Sequence, residues 1–224
     1  MYHHVQELSG EPGAAWVRYT VSPGAFAGQL DWLKANGFET VTAERLVRAL
    51  EPGDEDAAEA LPPKPVVLTF DDGWACCHDT VFPALKQRGM TGTFFVYPSG
   101  VGSPGYVSWA QLREMRDGGM DVQAHSMTHP HLPTLSEADA WKEIESCREV
   151  MGEKMGETPS VFAYPFGEYS EAVLRAVERA GYTGAFSTDV GTEHSAGEVF
   201  RLKRVIVTYP DDVSVFARVV GGGG

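Results

Sequence analysis

Short apolar, β-branched runs alternate with amphipathic segments along nearly the whole chain, and this alternation limits the fold more than any other feature. The runs are FETV (38–41), PVVLTF (65–70), GTFFV (92–96), MDVQAH (120–125), VFAYP (161–165), TGAFST (183–188) and RVIV (204–207). Between them lie helix patterns with ordinary start and stop signals. Residues 22–37 place Phe26, Leu30 and Leu33 at helical spacing and close on Asn36-Gly37. Thr42, Ser108, Ser136 and Ser170 stand where N-caps belong, and a helix around 76–88 ends at Gly89. A last helix is expected over 211–219. Strand-helix alternation predicts a parallel sheet covered by helices. About seven such units favour closure, so the expected fold is a single-domain α/β protein, a distorted (β/α)7-type barrel. In such barrels the chemistry sits at the C-terminal ends of the strands. His3/His4, Asp71/Asp72, His125/His129, Pro165-Phe166 and Thr188-Asp189 all follow predicted strands and should meet on one rim.

The strand 65–70 ends on Asp71-Asp72-Gly73, two adjacent negative charges at the edge of a core. A folded chain that accepts this repulsion should hold something positive there. AHSMTHPHL supplies His125 and His129 four residues apart, so one turn brings both rings to one side. Oxygen and imidazole ligands suit a divalent ion such as zinc. The spacing matches the histidine pair of zinc proteases, but Ser126 stands where those enzymes keep a glutamate base. One aspartate would complete an Asp-His-His triad, and the other would take a proton. His131 is the nearest rival ligand, at poorer spacing across Pro130.

Net charge is −13, which argues against a nucleic-acid partner, where basic clusters are expected. No apolar run approaches the roughly 20 residues needed to cross a bilayer. The opening MYHHV carries no basic segment followed by an apolar one, so no signal peptide is read in this chain. Three cysteines, Cys76, Cys77 and Cys147, form neither a disulfide framework nor a C-x-x-C zinc site and read as core residues. Residues 51–64 are an acidic, proline-containing loop, the segment closest in composition to disorder. One domain is expected over 1–220, with the glycine run 221–224 as a linker or trimmed end.

TFDDG, HSMTHP and YPFG resemble the first three motifs of the polysaccharide deacetylases of carbohydrate esterase family 4, and the resemblance covers nearly the whole chain. MYHHV, YTVSPGAFAGQLDWLKANGF and PVVLTFDDGW look most like the branch that de-N-acetylates poly-β-1,6-N-acetylglucosamine in bacterial envelopes. The resemblance implies Asp71 as general base and Asp72, His125 and His129 as ligands of a divalent metal, zinc first, with cobalt, nickel or iron as alternatives. It implies Phe166 as the backbone donor to the oxyanion and His3, from the N-terminal YHxV element, as general acid, with His4 structural. The family arginine two residues before Pro165 is replaced by Ala163. Arg204 is a candidate replacement, although a surface arginine is the plainer reading. Trp74 and Tyr164 are held as sugar-contacting residues; Tyr97, Tyr106 and Trp109 read equally well as packing, and Trp16, Trp32 and Trp141 as packing.

These implications amount to metal-dependent hydrolytic de-N-acetylation of an N-acetylglucosamine-containing polysaccharide. An acetylated glycan is then the partner, and an extracellular, periplasmic or envelope location follows from the substrate. The rivals are an O-acetyl esterase on acetylated xylan, a decayed glycan-binding module and a hydrolase of small amides.

Overall fold

A computed structural model describes residues 1–8, 13–51, 61–209 and 212–221. Part of the acidic loop, residues 52–60, and the glycines 222–224 therefore lie outside the described residues, as does position 211 at the start of the last expected helix.

The N-terminal region builds two small parallel pairs. β1 (His4–Val5) pairs with β2 (Thr20–Val21) across α1 (Ala14–Arg18). α2 (Pro23–Ala35) follows, its start capped by Ser22, whose side chain accepts from Ala25 N. β3 (Glu39–Thr40) pairs with β4 (Pro65–Val66), and between them α3 (Ala43–Ala49) starts at Thr42.

The main sheet comes next in strict order. β5 (Thr69–Asp72), α4 (Phe82–Arg88), β6 (Thr93–Val96), α5 (Trp109–Asp117) and β7 (Asp121–Ala124) are followed by α6 (Glu137–Met155) and β8 (Val161–Ala163). α7 (Glu171–Arg179), β9 (Gly184–Val190) and β10 (Leu202–Arg204) complete it, and α8 (Val213–Val220) packs beside α2. All six strands from β5 to β10 are parallel, each hydrogen-bonded to its sequence neighbour.

The first residues close this curled sheet into the expected distorted barrel. Tyr2 sits beside Phe70, donating from its N–H to Thr69 O and accepting from Asp71 N, at 2.8 and 3.0 Å. On its other side, Met1 O accepts from Val207 N at 2.9 Å. The chain's start thus fills a seventh position between β5 and the segment after β10. Pairing with β9 covers Leu202–Arg204, with a register shift between the two, so the strand expected at 204–207 begins two residues earlier, and 205–207 turns to meet Met1.

Successive strand residues face opposite sides, and the core divides accordingly. Phe94 joins Phe70, Tyr2 and Phe26 in the large cluster, while Phe95 joins Val161, Ala163, Phe186 and Leu202 in a smaller one. α3 belongs to the smaller cluster through Ala43 and Val47, and the Ala43 N–H donates to Thr93 Oγ1. The helix expected over 76–88 opens instead with a π turn, Cys77–Val81, ahead of α4. Pro83 explains it: without an N–H it cannot bond the carbonyl four residues back, and the register slips. All three cysteines are buried and unpaired. Among the described residues no helix is long and apolar enough to cross a membrane.

Candidate metal centre and its cleft

The C-terminal rim opens into a cleft of about 500 Å³ whose walls include His3, His4, Asp71, Asp72, Trp74, His125, His129, Phe166 and Thr188. The segments expected to converge there do so, except that Asp189 turns aside and accepts from Tyr169 and Ser187 hydroxyls. Neighbours on a strand should point oppositely, yet Asp71 and Asp72 share this cleft. The reason is local: Asp72 has φ 75°, a left-handed conformation that breaks the alternation. Ser126 (φ 62°), His129 (φ 63°) and Phe166 (φ 59°) are left-handed too. These four are the non-glycine residues with positive φ among the described residues, and all lie at this rim, Asp72 as the last residue of β5. Each costs on the order of 1–3 kcal/mol and persists only where its surroundings dictate it.

Asp72 Oδ1 lies 3.5 Å from His125 Nε2 and 3.3 Å from His129 Nε2. Those distances exceed a charge-assisted hydrogen bond, about 2.7–2.9 Å, and Oδ1 is buried without a hydrogen-bonding partner. His125 Nδ1 is 2.7 Å from the Ala163 carbonyl, which only accepts, so Nδ1 carries the proton and Nε2 presents its lone pair. Trp74 Nε1–H donates to Asp72 Oδ2 at 3.1 Å and orients the carboxylate. One ligand atom from each of Asp72, His125 and His129 lies within 4.8 Å of the other two. An orphaned carboxylate oxygen and two imidazole nitrogens gathered around one point fit a divalent cation of the zinc type. Burial alone would raise the Asp72 pKa, but His125 and His129 hold it well below the usual carboxylate range. His125 is shifted up: burial lowers it, and Asp72 and Asp71 more than offset that.

Arg204 occupies the place that a surface reading denied it. It is buried, with Nη1 and Nη2 donating to Asp71 Oδ1 and Oδ2 at 2.7 and 2.9 Å and Nε donating to Ser187 O at 2.8 Å. Ala163 cannot pair with Asp71, and Arg204 does so from β10. Burial pushes the Asp71 pKa up; Arg204, then His125, pull it down further, so the net shift is downward. An ionised, fixed carboxylate beside a cation cage can accept a proton from water there.

The other named residues divide. His3 lines the cleft with its ring 4.8 Å from that of Tyr19, and its Nδ1 is buried without a partner. Burial lowers its pKa, with Asp71 and Asp72 opposing. His4 is enclosed between Trp16 and Trp74, at ring distances of 3.9 and 4.5 Å. Phe166 is 48% exposed and stacks on His131 at 3.9 Å. His131 stands outside the cage, paired with Glu168. Tyr164 requires a correction: it is fully buried, donates its hydroxyl to Phe200 O, and packs against Phe162 and Tyr169. It has no face for a sugar. Trp16 and Tyr19, one set aside as packing and the other not singled out, do line the cleft. Glu143 was also missed; its carboxylate accepts from Met127 N, Thr128 N and the Thr128 hydroxyl.

A parallel barrel with an Asp-His-His cage and an arginine-held carboxylate at its C-terminal rim has the frame of a hydrolase. The polysaccharide deacetylase profile matches residues 58–185, and the chain belongs to that family. Its relatives include the poly-beta-1,6-N-acetyl-D-glucosamine N-deacetylase of Staphylococcus epidermidis, 24% identical over 204 residues covering 85% of this chain and 68% of that one. The fold matches that of IcaB from Ammonifex degensii with a TM-score of 0.83 and 28% identity, over 98% of this chain and 94% of that one. It also matches the Streptococcus pyogenes deacetylase PplD in complex with acetate, with a TM-score of 0.88 and 24% identity over 98% and 95%. The chain spans between 38% and 68% of the length of the first curated relatives it matches.

Proposed function

We propose that this chain hydrolyses N-acetyl groups of an N-acetylglucosamine-containing polysaccharide, releasing acetate, with a divalent cation on Asp72, His125 and His129. Zinc is the first choice, and cobalt, nickel and iron are the alternatives. One observation carries the reading: a buried, orphaned carboxylate oxygen shares a centre with two imidazole nitrogens, next to a second carboxylate gripped by arginine. The names of the Staphylococcus epidermidis and Escherichia coli relatives support the glycan and the amide.

A cation bound there would polarise the acetamide carbonyl and make a neighbouring water more acidic. Asp71 accepts the proton of the attacking water, and Arg204 keeps it ionised and oriented. His3 delivers a proton to the departing amine, and the burial that lowers its pKa makes its protonated form a stronger acid. The Phe166 N–H, at the left-handed turn after β8, donates to the oxyanion. Trp16, Tyr19 and Trp74 offer rings to pyranose faces. Such a substrate places the reaction outside the cytoplasm, at the envelope or beyond.

Acetate release from β-1,6-linked N-acetylglucosamine oligomers, with and without a chelator, tests the reading. Release should stop with chelator and return with added zinc, and acetylated xylan should turn over more slowly. Preference for acetylated xylan would make the chain an O-acetyl esterase. Oligomer binding without acetate release from the metal-loaded chain would leave a glycan-binding module.

A further inference from the structure

Three consecutive backbone N–H groups run through the turn that carries His129, and side chains take all three. Glu143, half-buried on α6, accepts through Oε2 from Met127 N at 3.0 Å and Thr128 N at 2.8 Å. Its Oε1 accepts from the Thr128 hydroxyl at 2.7 Å. Ser126 Oγ accepts the third, from His129 N at 3.0 Å. The turn holds two left-handed residues, Ser126 and His129, so its backbone needs external support. A carboxylate seated on successive N–H groups is an anion in a backbone nest, and bonds to a charged acceptor are stronger than neutral ones.

One backbone bond also ties the turn, from Ser99 N to Met127 O at 3.1 Å, and it leaves the N–H groups of the turn unserved; the rings around His129 do not serve them either. The rings of Tyr97, His125 and Phe166 lie 5.4, 4.9 and 4.6 Å from its imidazole and fill space without fixing the backbone. Glu143, in contrast, is rigidly mounted. It precedes Ile144 on a helix that buries Ala140, Ile144, Cys147 and Met151 and is capped by Ser136. Its carboxylate therefore ties the turn to the packed body of the protein.

We infer that Glu143 is a positioning residue for the cation. It holds the 126–129 turn in the form that sets His129 Nε2 3.3 Å from Asp72 Oδ1, and it supplies no ligand atom itself. The inference rests on reading Asp72, His125 and His129 as a metal site.

Zinc titration of the full chain by calorimetry tests it, using Glu143→Ala, Glu143→Gln, Thr128→Val and, as a control on the same helix, the exposed Glu149→Ala. Glu143→Ala should weaken zinc binding by about 10- to 100-fold, the usual effect of losing an outer partner of a metal ligand. Glu143→Gln keeps a carbonyl oxygen for the two N–H groups and should recover most of the affinity. Thr128→Val, which loses only the Oε1 bond, should fall between wild type and Glu143→Ala, and Glu149→Ala should match wild type. Thermal unfolding separates positioning from plain stability. A purely structural role would lower the metal-free midpoint and leave the zinc-induced rise intact, whereas positioning shrinks the rise. Full zinc affinity in Glu143→Ala overturns the inference; if that variant does not fold, full affinity in Thr128→Val does so. A wild-type chain that binds no divalent cation overturns the metal site and this inference together, a different outcome from equal binding by wild type and variant.

Discussion

Arg204 and Asp71 meet through two parallel N–H···O bonds of 2.7 and 2.9 Å, both residues buried, although 133 positions separate them in the chain. This pair explains how β5 tolerates two adjacent carboxylates at its end. Asp71 is neutralised by a guanidinium from β10, and Asp72 faces the two imidazoles, so the two charges have separate partners.

Breaking the pair from the arginine side leaves a buried carboxylate without countercharge. Arg204→Met should cost about 3–5 kcal/mol in urea unfolding. It should also raise the Asp71 pKa, because burial then acts unopposed by its strongest partner. Arg204→Lys restores a charge but not the two-pronged geometry. It should unfold less readily than Arg204→Met and still lose at least about tenfold in acetate release. Wild-type turnover in Arg204→Lys would remove orientation from the role of Arg204.

Asp71→Asn removes the proposed base while leaving the three ligand residues in place. Acetate release should fall by about 10²- to 10⁴-fold, and zinc stoichiometry should stay at the wild-type value. A variant that keeps most of its rate would take Asp71 out of the chemistry.

The two N-terminal histidines should separate cleanly. His3→Gln should lower kcat with little change in the unfolding midpoint, since His3 lines the cleft and is only half-buried, whereas His4 is buried. His4→Gln should lower the midpoint more, because His4 fills the space between Trp16 and Trp74. Loss of kcat in His4→Gln alone would reverse the two roles.

A pH effect on stability should arise far from the cleft, at Asp121 on the opposite end of β7. Burial pushes its pKa up to about 6 from an ordinary 3.8, despite hydrogen bonds from Gln123 and Thr93. Between those values the unfolded chain binds fewer protons than the folded one, so stability falls as pH rises through the window. The loss amounts to about 2–3 kcal/mol, on the scale of 1.36 kcal/mol per pKa unit. Urea midpoints of wild type should decline from pH 4 to about 6.5 relative to Asp121→Asn; parallel curves would contradict the assignment.

Much of this was legible in the sequence because it depends on local chemistry. Thr42, Ser108, Ser136 and Ser170 all accept from a helix N–H as their positions suggest. The parallel sheet followed from alternation, although FETV, one of the seven expected strands, pairs with β4 outside it, and TFDDG with HSMTHP marked the cage residues. What escaped notice depends on long-range closure. Arg204 stands in the sequence only as a candidate partner for Asp71, with a surface position the plainer reading, because its burial beside Asp71 depends on winding β10 beside β9. Tyr164 follows a strand toward the rim, yet its side chain takes the core face, while Trp16 and Tyr19 reach the cleft only because the first residues close the barrel. Glu143 left no motif to find, since its partners are two backbone N–H groups and one hydroxyl.

The most direct test of the cage is an anomalous difference map, recorded at the zinc edge from crystals of this protein grown with zinc. The expected result is a single peak about 2.0–2.2 Å from a carboxylate oxygen of Asp72 and from Nε2 of both His125 and His129. A peak bound elsewhere, or no peak at the cage in crystals containing zinc, would contradict the assignment of these three residues to one cation.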